Sequence, residues 1–363
     1  METLTAQKQE MKIPVTRVSK SKISEIDFTK LQFGKITSDH MFISSFKEGH
    51  WQNPEILPYG DISLAPTALC FHYGQTIFEG MKAFRMQDGN ISIFRMEKHF
   101  ERINKSLDRM CMAMLDEELF YNSIKQLVAL DQQWTPTQEG SALYIRPFMI
   151  ATEERFGVKE SDEYLFIVIT GPVSPLFNKP IKIKVETDYV RAAKGGTGYA
   201  KCGGNYGAAF YPTKIARQQG YNAVLWTDSI YNKFIEESGT MNMLFIINNT
   251  VVTPPLSDSI LEGITRDSVL RIARDIGLGV EERDISVEEV VESIENGKMT
   301  EAFVAGTAAV LNPVELISAY GKDHLLPTLH DNALVYKLKK KIENIRTGVE
   351  KDIYNWNTVI TQL

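Results

Sequence analysis

Gly195-Gly-Thr-Gly-Tyr-Ala-Lys201-Cys-Gly-Gly-Asn-Tyr206-Gly207 sets one lysine among six glycines within 13 residues. Glycine allows positive φ and close backbone approach at an entropic cost, so this density implies a loop wrapped tightly around something. A lysine there can reach whatever the loop encloses. In dry or cationic surroundings its pKa falls, and it becomes an amine nucleophile able to form a Schiff base. A flexible surface loop with a solvated lysine fits the same residues. The nucleotide motifs that glycines suggest fail on residue identity. A P-loop needs Gly-Lys followed by Ser or Thr, whereas the pairs at 34–35, 297–298 and 321–322 continue with Ile, Met and Asp. The dinucleotide fingerprint fails too, because Gly196-Thr-Gly198-Tyr-Ala ends on Lys201.

Outward from this stretch, 363 residues exceed what one hydrophobic core usually serves, so two domains are expected. With 43% hydrophobic and 24% charged residues the chain is ordinarily globular, which argues against disorder. A net charge of −6 carries no footprint for nucleic acid. Cys70, Cys111 and Cys202 are odd in number and without a CxxC pair, fitting a reducing compartment and neither a disulfide framework nor a zinc site. The histidines are scattered without HxxxH or HExxH spacing, and no metal site is expected. Met1 to Glu10 lacks an apolar signal region, and no window approaches the roughly 18 apolar residues of a membrane span. The reading is a soluble, cytoplasmic protein with no membrane partner.

Taken in order, residues 1–27 read as a loosely attached polar lead-in, and 33–46 as short strand-like segments. Thr76–Phe84 and Ile91–Phe94 flank Gln87-Asp-Gly-Asn90, a hairpin signal, with Arg95 at the end of the second strand. Phe100, Ile103, Leu107, Met110 and Met114 recur at helical spacing and read as a core-facing stripe, and a second helix is expected over 117–131. Ser141–Pro147 and Glu163–Thr170 read as strands. Three prolines in 171–180 mark a linker, since proline cannot donate to a ladder. The expected division is 1–173, a linker over 174–181, and 182–363. In the second half, strands are expected over 181–189, 222–226, 241–247, 251–253 and 301–305. Helices are expected over 207–219, with Pro212 near the first turn, and over 265–276, and Ser286 with Glu289 forms a capping box.

Several places hold chemistry, each with a plainer reading beside it. Gly263-Ile-Thr265 ahead of a helix is an anion site or an ordinary N-cap. Gly306-Thr307-Ala308 offers N–H groups and a hydroxyl, or is a tight turn. Of Glu236 and Glu237, one is a solvated edge residue; the other, if drawn inward, needs a cationic partner. Tyr144 and Arg146 share a strand face, where they grip a carboxylate or make a surface ion pair.

Together, Phe33-Gly-Lys, Phe78-Glu-Gly-Met-Lys-Ala-Phe84, Phe94-Arg95, Leu143-Tyr-Ile-Arg-Pro147, Lys201-Cys-Gly-Gly-Asn-Tyr-Gly207, Glu237-Ser-Gly-Thr-Met-Asn242, Gly263-Ile-Thr-Arg266 and Gly306-Thr-Ala308 resemble the branched-chain aminotransferases. These are pyridoxal-phosphate enzymes of fold type IV, and the resemblance spans roughly residues 30–330 with motifs in family order. It implies an α+β chain of two domains, a smaller N-terminal α/β domain and a larger C-terminal one with a pseudo-barrel sheet. It makes Lys201 the residue that binds pyridoxal 5'-phosphate covalently, Tyr206 a partner of the phenolic oxygen, and Glu237 the partner of the ring nitrogen. Arg95, Ile264, Thr265 and Thr307 would hold the phosphate, with Arg191 in the same shell. Phe33, Tyr73, Phe78 and Tyr144 would line the substrate pocket, Tyr73 entering from the partner of a homodimer. Arg146 would sit at the pocket's polar edge, and Ala308 would donate its N–H to the substrate carboxylate.

The activity so implied moves the amino group between leucine, isoleucine or valine and 2-oxoglutarate, giving glutamate and a 2-oxo acid. Freed Lys201 would be the base at the α-proton. Glutamate's side chain among aromatics would cost several kcal/mol unpaired, a conflict that Arg146 resolves. Two positions depart from the pattern. The redox CxxC of animal members is replaced by Ala309 and Asn312, and Leu176 stands in the linker for a tyrosine. The resemblance is therefore to the bacterial type. The rivals are D-amino-acid aminotransferases and aminodeoxychorismate lyases, which share the lysine and glutamate, and a non-enzymatic module using the glycine loop for a phosphate ligand.

Overall fold

A computed structural model describes residues 11–361. The first half alternates strands with three helices: β1 (His40–Lys47), β2 (His50–Pro58), α1 (Leu69–Tyr73), β3 (Thr76–Phe78), β4 (Met81–Arg85), β5 (Ile91–Phe94), α2 (Met96–Arg109), α3 (Glu117–Leu130), β6 (Ala142–Ala151) and β7 (Tyr164–Val173). The expected Asp-Gly hairpin joins β4 to β5, with Gly89 at φ 87°. The strand expected over 76–84 is broken at Glu79-Gly80. There the backbone passes beneath Tyr144, and a Cβ on Gly80 would collide with the Tyr144 hydroxyl. Ile103 and Leu107 of α2, with Phe120, Ile124 and Leu127 of α3, pack onto Phe42, Phe166 and Val168 of the sheet. Each such side chain contributes about 1.5–3 kcal/mol on burial. The expected helical stripe overruns, since α2 ends at Arg109, Cys111 turns at φ 51°, and Met114 faces solvent.

The lead-in also differs from expectation over its described part. Residues 1–10 lie outside the described residues, but Ile13 is 2% exposed, Thr16 N–H donates to Ile56 O and Ile56 N–H to Pro14 O. One apolar side chain and a pair of backbone bonds anchor a stretch whose composition alone looked unattached.

The second half runs β8 (Ile181–Glu186), α4 (Gly203–Gln218), β9 (Ala223–Thr227), β10 (Ile235–Ser238), β11 (Met241–Ile247), β12 (Thr250–Thr253), α5 (Ile264–Asp275), β13 (Gly279–Glu282), α6 (Val287–Glu295), β14 (Met299–Gly306), β15 (Val310–Ala319), β16 (Lys322–Leu325), α7 (Leu334–Arg346) and β17 (Asn357–Ile360). Strand order β10-β9-β8-β15-β14-β11, with β10 also paired to β11, closes six strands into a barrel-like ring. Met243, Phe245 and Ile247 of β11 pack on the side of Val287 and Val290 of α6. The alternating Leu244 and Ile246 pack with α5 and α7. Strand periodicity thus buries both faces. Asn248 and Asn249, both at positive φ, turn β11 into β12, and Ser286 Oγ accepts the Glu289 N–H as a cap. Helix α4 starts at Gly203 rather than 207, which puts Pro212 in its interior, and the strand expected over 181–189 stops at Glu186.

The first sheet reads β17-β5-β4-β6-β7-β1-β2, with β3 beside β6. Its first member comes from the far end of the chain. The unit expected over 182–363 therefore gives its last strand to the other sheet. Phe84, Phe94 and Val173 from the first sheet share one core with Leu244, Val269 and Leu338, so the two units meet in an apolar seam. Among the described residues no helix is long and apolar enough to cross a membrane.

Candidate active site

Lys201 is fixed by its backbone before its side chain does anything. Its N–H donates to Ser106 Oγ at 2.9 Å, and its carbonyl accepts the Phe78 N–H at 3.0 Å. Nζ then lies 2.9 Å from Tyr206 Oη and 4.8 Å from the centre of the Phe78 ring. Tyr206 sits in the first turns of α4, presented by the glycines that open that helix. The loop does wrap closely, but around the protein's own chain. A Cβ on Gly198 would stand 2.5 Å from Ser259 Cα and 2.7 Å from Asp258 O, and one on Gly203 2.9 Å from the Thr76 methyl.

Lys201 opens onto a cavity of about 350 Å³ at the seam between the two units. It gathers Phe33, Phe78, Tyr144, Arg146, Tyr206, Ile264, Thr265, Thr307 and Ala308 of the sequence-derived candidates. Helix α5 begins at Ile264 on the N-cap Gly263, so Thr265 lies inside its first turn and is not the cap. Gly263 has no side chain with which to cap; a Cβ there would collide with Asn242 Oδ1. The free N–H groups and dipole of that turn favour an anion. In the same cavity, Arg146 Nη2 donates to Tyr144 Oη at 3.2 Å, and its guanidinium stacks 4.8 Å from the Phe78 ring. Arg146 Nε is buried without a partner in the described structure. Leu176 of the linker also lines the cavity, which the sequence left open.

Arg95 is not part of this constellation. It is the N-cap residue of α2 at φ 55°, stacks 4.9 Å over Trp356, donates to Ser268 Oγ at 2.9 Å and pairs with Asp267 Oδ2 at 2.8 Å, and it does not line this cavity. Arg102, two turns along the same helix, lines the cavity instead. Glu79 grips it as a fork: Oε1 accepts Nε at 2.6 Å and Oε2 accepts Nη2 at 2.8 Å, leaving Nη1 to donate to Glu262 O at 2.8 Å. Glu79 Oε2 also takes His99 Nδ1 at 2.7 Å and the Gly80 N–H at 3.0 Å. Burial opposes ionisation of Glu79, but Arg102 and His99 outweigh it and hold the carboxyl well below the usual carboxylate range. The missed signal was Glu79 itself, an acid within a run that becomes fully buried and so needs a cation.

Glu237 and Arg191 occupy a recess adjoining the cavity, with Tyr206, Thr240 and Leu261. Glu237 Oε2 accepts the Leu261 N–H at 3.0 Å. Its Oε1 lies 3.0 Å from Arg191 Nε without hydrogen-bond alignment, so that buried nitrogen has no proper acceptor. Arg191 Nη2 donates to Gly198 O at 3.0 Å and to Ser259 O. Burial raises the Glu237 pKa, with Arg191 opposing. Arg191 therefore belongs with the glutamate and not with the anion-binding turn where it was expected. Nor is either acid solvated: both are under a tenth exposed, and burial pushes Glu236 up to about 7 although Ser259 Oγ donates to it. Tyr73 lies outside the cavity of its own chain, 41% exposed, its hydroxyl on Phe156 O.

The motifs found along residues 76–317 match the family model of class IV aminotransferases, and the chain belongs to that family. It is 43% identical to branched-chain-amino-acid aminotransferase 2 of Bacillus subtilis (strain 168), over 98% of each chain. Among solved structures, the Escherichia coli branched-chain amino acid aminotransferase shares its fold with a TM-score of 0.73 at 22% identity, covering 88% of this chain and 98% of that one. The branched-chain amino acid aminotransferase from Thermobaculum terrenum, in its PLP-bound holo-form, aligns with a TM-score of 0.72 at 21% identity, over 88% and 98%.

Proposed function

We propose that this enzyme transfers the amino group reversibly between leucine, isoleucine or valine and 2-oxoglutarate with pyridoxal 5'-phosphate as cofactor. One observation carries the reading: Lys201 Nζ sits 2.9 Å from a tyrosine hydroxyl in a cavity also lined by the first turn of α5, by aromatic side chains and by an arginine. The donor set suits the cofactor. Lys201 offers an amine to its aldehyde, while Arg102, the first turn of α5 and the Thr265 and Thr307 hydroxyls suit its phosphate. Glu237, buried beside an imperfectly satisfied arginine, suits a ring N–H. When bound, the cofactor supplies the electron sink that makes a substrate α-proton removable.

The residues of the chain do the rest. Lys201 Nζ takes the α-proton and returns it, and its bond to Tyr206 Oη aims it. Phe33, Phe78 and Tyr144 exclude water and accept a branched aliphatic side chain. Arg146, with its unpartnered Nε, pairs the distal carboxylate of glutamate when that substrate takes the same place. The exposed Tyr73, with Phe71 and Phe156 also exposed nearby, supports a homodimer in which each copy completes the other's pocket. Three free cysteines fit a cytoplasmic setting.

A coupled assay with 2-oxoglutarate tests the substrate class. Turnover of L-leucine, L-isoleucine and L-valine is expected; turnover of D-alanine without them would overturn it. Borohydride reduction followed by peptide mapping tests the lysine, and a pyridoxyl group anywhere but Lys201 would refute its role.

A further inference from the structure

Glu236 and Glu237 are consecutive on β10, yet both turn toward one segment. Between the pairs Ile235↔Thr227 and Ser238↔Leu225 the β10–β9 register slips, so that these two acids together oppose Trp226. A bulge of this kind bends the strand and re-aims side chains that would otherwise alternate between its faces. Glu237 Oε2 accepts the Leu261 N–H at 3.0 Å, and Glu236 Oε1 accepts the Ser259 hydroxyl. Glu236 and Ser259 are both under a tenth exposed, so the hydroxyl has little water to turn to instead.

Ser259 is the middle of a directed chain. Its one hydroxyl proton goes to Glu236, so Ser257 Oγ, 3.0 Å away, is the donor in the bond between the two serines. The Ser259 main chain is held as closely. Gly198 presses against it with no room for a Cβ, and the Tyr199 N–H donates to Asp258 O at 3.0 Å. The carbonyls of Ser259 and Gly198 both accept from Arg191 Nη2. A guanidinium is planar, so two acceptors on Nη2 set the direction of Nε as well. That direction is off the line to Glu237: Nε and Oε1 are 3.0 Å apart with no hydrogen bond between them.

We infer that Glu236 is a positioning residue for the reaction: by fixing Ser259 it draws Arg191 toward main-chain carbonyls and leaves Glu237 Oε1 open to a ring N–H. Resting on the role proposed for Glu237, this gives the neighbouring acid a task although it lines neither the cavity nor the recess. The task needs an acceptor and not a charge, since Oε1 accepts whether the carboxyl is ionised or protonated. Without that acceptor the serine chain loses its end and Ser259 shifts. Arg191 Nε then aligns with Oε1 and competes with the ring N–H for the same oxygen.

Three variants of the cofactor-loaded enzyme test this, read by the single-turnover rate with L-leucine and by nitrogen NMR of cofactor isotope-labelled at its ring nitrogen. Glu236→Met keeps the volume and removes the acceptor. Its rate is expected to fall about tenfold, with the ring signal moving toward the unprotonated position. Glu236→Gln drops the charge but keeps an acceptor for Ser259 Oγ, and it recovers most of the rate and the protonated signal. Ser259→Ala releases the same carbonyl from the other end and reproduces Glu236→Met, and the double variant is no slower than either single one. Ser259→Ala decides the matter if Glu236→Met does not fold. A folded Glu236→Met enzyme with wild-type rate and signal overturns the inference. So does a rate loss with an unmoved ring signal in either single variant, or Glu236→Gln failing as badly as Glu236→Met. A wild-type enzyme inert toward L-leucine would refute the proposed substrate class and leave the ring signal to decide the role of Glu236. A wild-type ring nitrogen without a proton would overturn the role of Glu237, and that of Glu236 with it.

Discussion

Two buried glutamate–arginine pairs flank the active cavity, and they are finished to different degrees. Glu79 and Arg102 form a closed fork, with His99 and the Gly80 N–H using what remains of the carboxylate. Glu237 and Arg191 lie 3.0 Å apart but misaligned, and the pKa shifts of the two acids diverge: Glu79 is held low by its partners, Glu237 is raised by burial. A satisfied pair is scaffold; it holds Arg102 at the anion-binding turn whether or not anything is there. An unsatisfied pair is poised, because its missing bond is the one a ligand supplies. Burial alone does not tell these apart, and the alignment of individual donors does.

The comparison can be broken in four places. Glu79→Ala leaves Arg102 buried and unpaired, and a loss of about 3–5 kcal/mol is expected. A melting temperature within a degree or two of wild type would remove its scaffold role. Glu237→Gln is the opposite case: thermal stability stays within about 1 kcal/mol, whereas turnover falls roughly 100-fold, about 2.7 kcal/mol of barrier. Unchanged kcat would show that this acid is scaffold too. Arg102→Met, which keeps the packing and drops the charge, raises the cofactor dissociation constant about tenfold. Arg95→Met leaves it alone, and the reverse result would return the phosphate to Arg95.

The smallest effect is a pH dependence. Glu236, at about 7 when folded, takes up a proton before the unfolded chain does. Its contribution therefore favours folding increasingly as pH falls from about 7 toward the unfolded value near 4.5, and is fully unfavourable above that window. Glu236→Gln should be about 1–3 kcal/mol more stable than wild type at pH 8 and converge with it below about pH 4.5. Glu79 has the opposite sign: its stabilisation is present above the ordinary carboxylate range and is lost as pH falls through its depressed value. Melts of the two single variants against pH should thus slope in opposite directions.

Local pattern made much of this legible. The Asp-Gly hairpin, the Ser286 cap and the strand over 241–247 each depend on neighbours in sequence, and each stands where it was expected. The cavity's membership was legible through motifs, down to Thr307 and Ala308. What failed depended on a distant partner. Arg95 and Arg102 are indistinguishable by helical position; Glu79 decides between them, and it lies on another element. The anchoring of Ile13, the interior place of Pro212 and the paired burial of Glu236 with Glu237 were hidden likewise, because each is set by a surface the residue meets only after folding.

Strand β17 gives the sheet it joins an unusual history. Its four residues register against Phe94 to Ile91, and the Trp356 carbonyl just before it accepts the Arg95 N–H. During synthesis β4, β6 and β7 are available early, but β5 keeps an open edge until nearly the whole chain has been made. A bare edge is a template for pairing with other chains, and translation at about 5–20 residues per second prolongs that hazard. The first sheet to begin is thus among the last to close, and cutting the chain before β17 should promote aggregation through β5 while leaving the barrel-like ring formed.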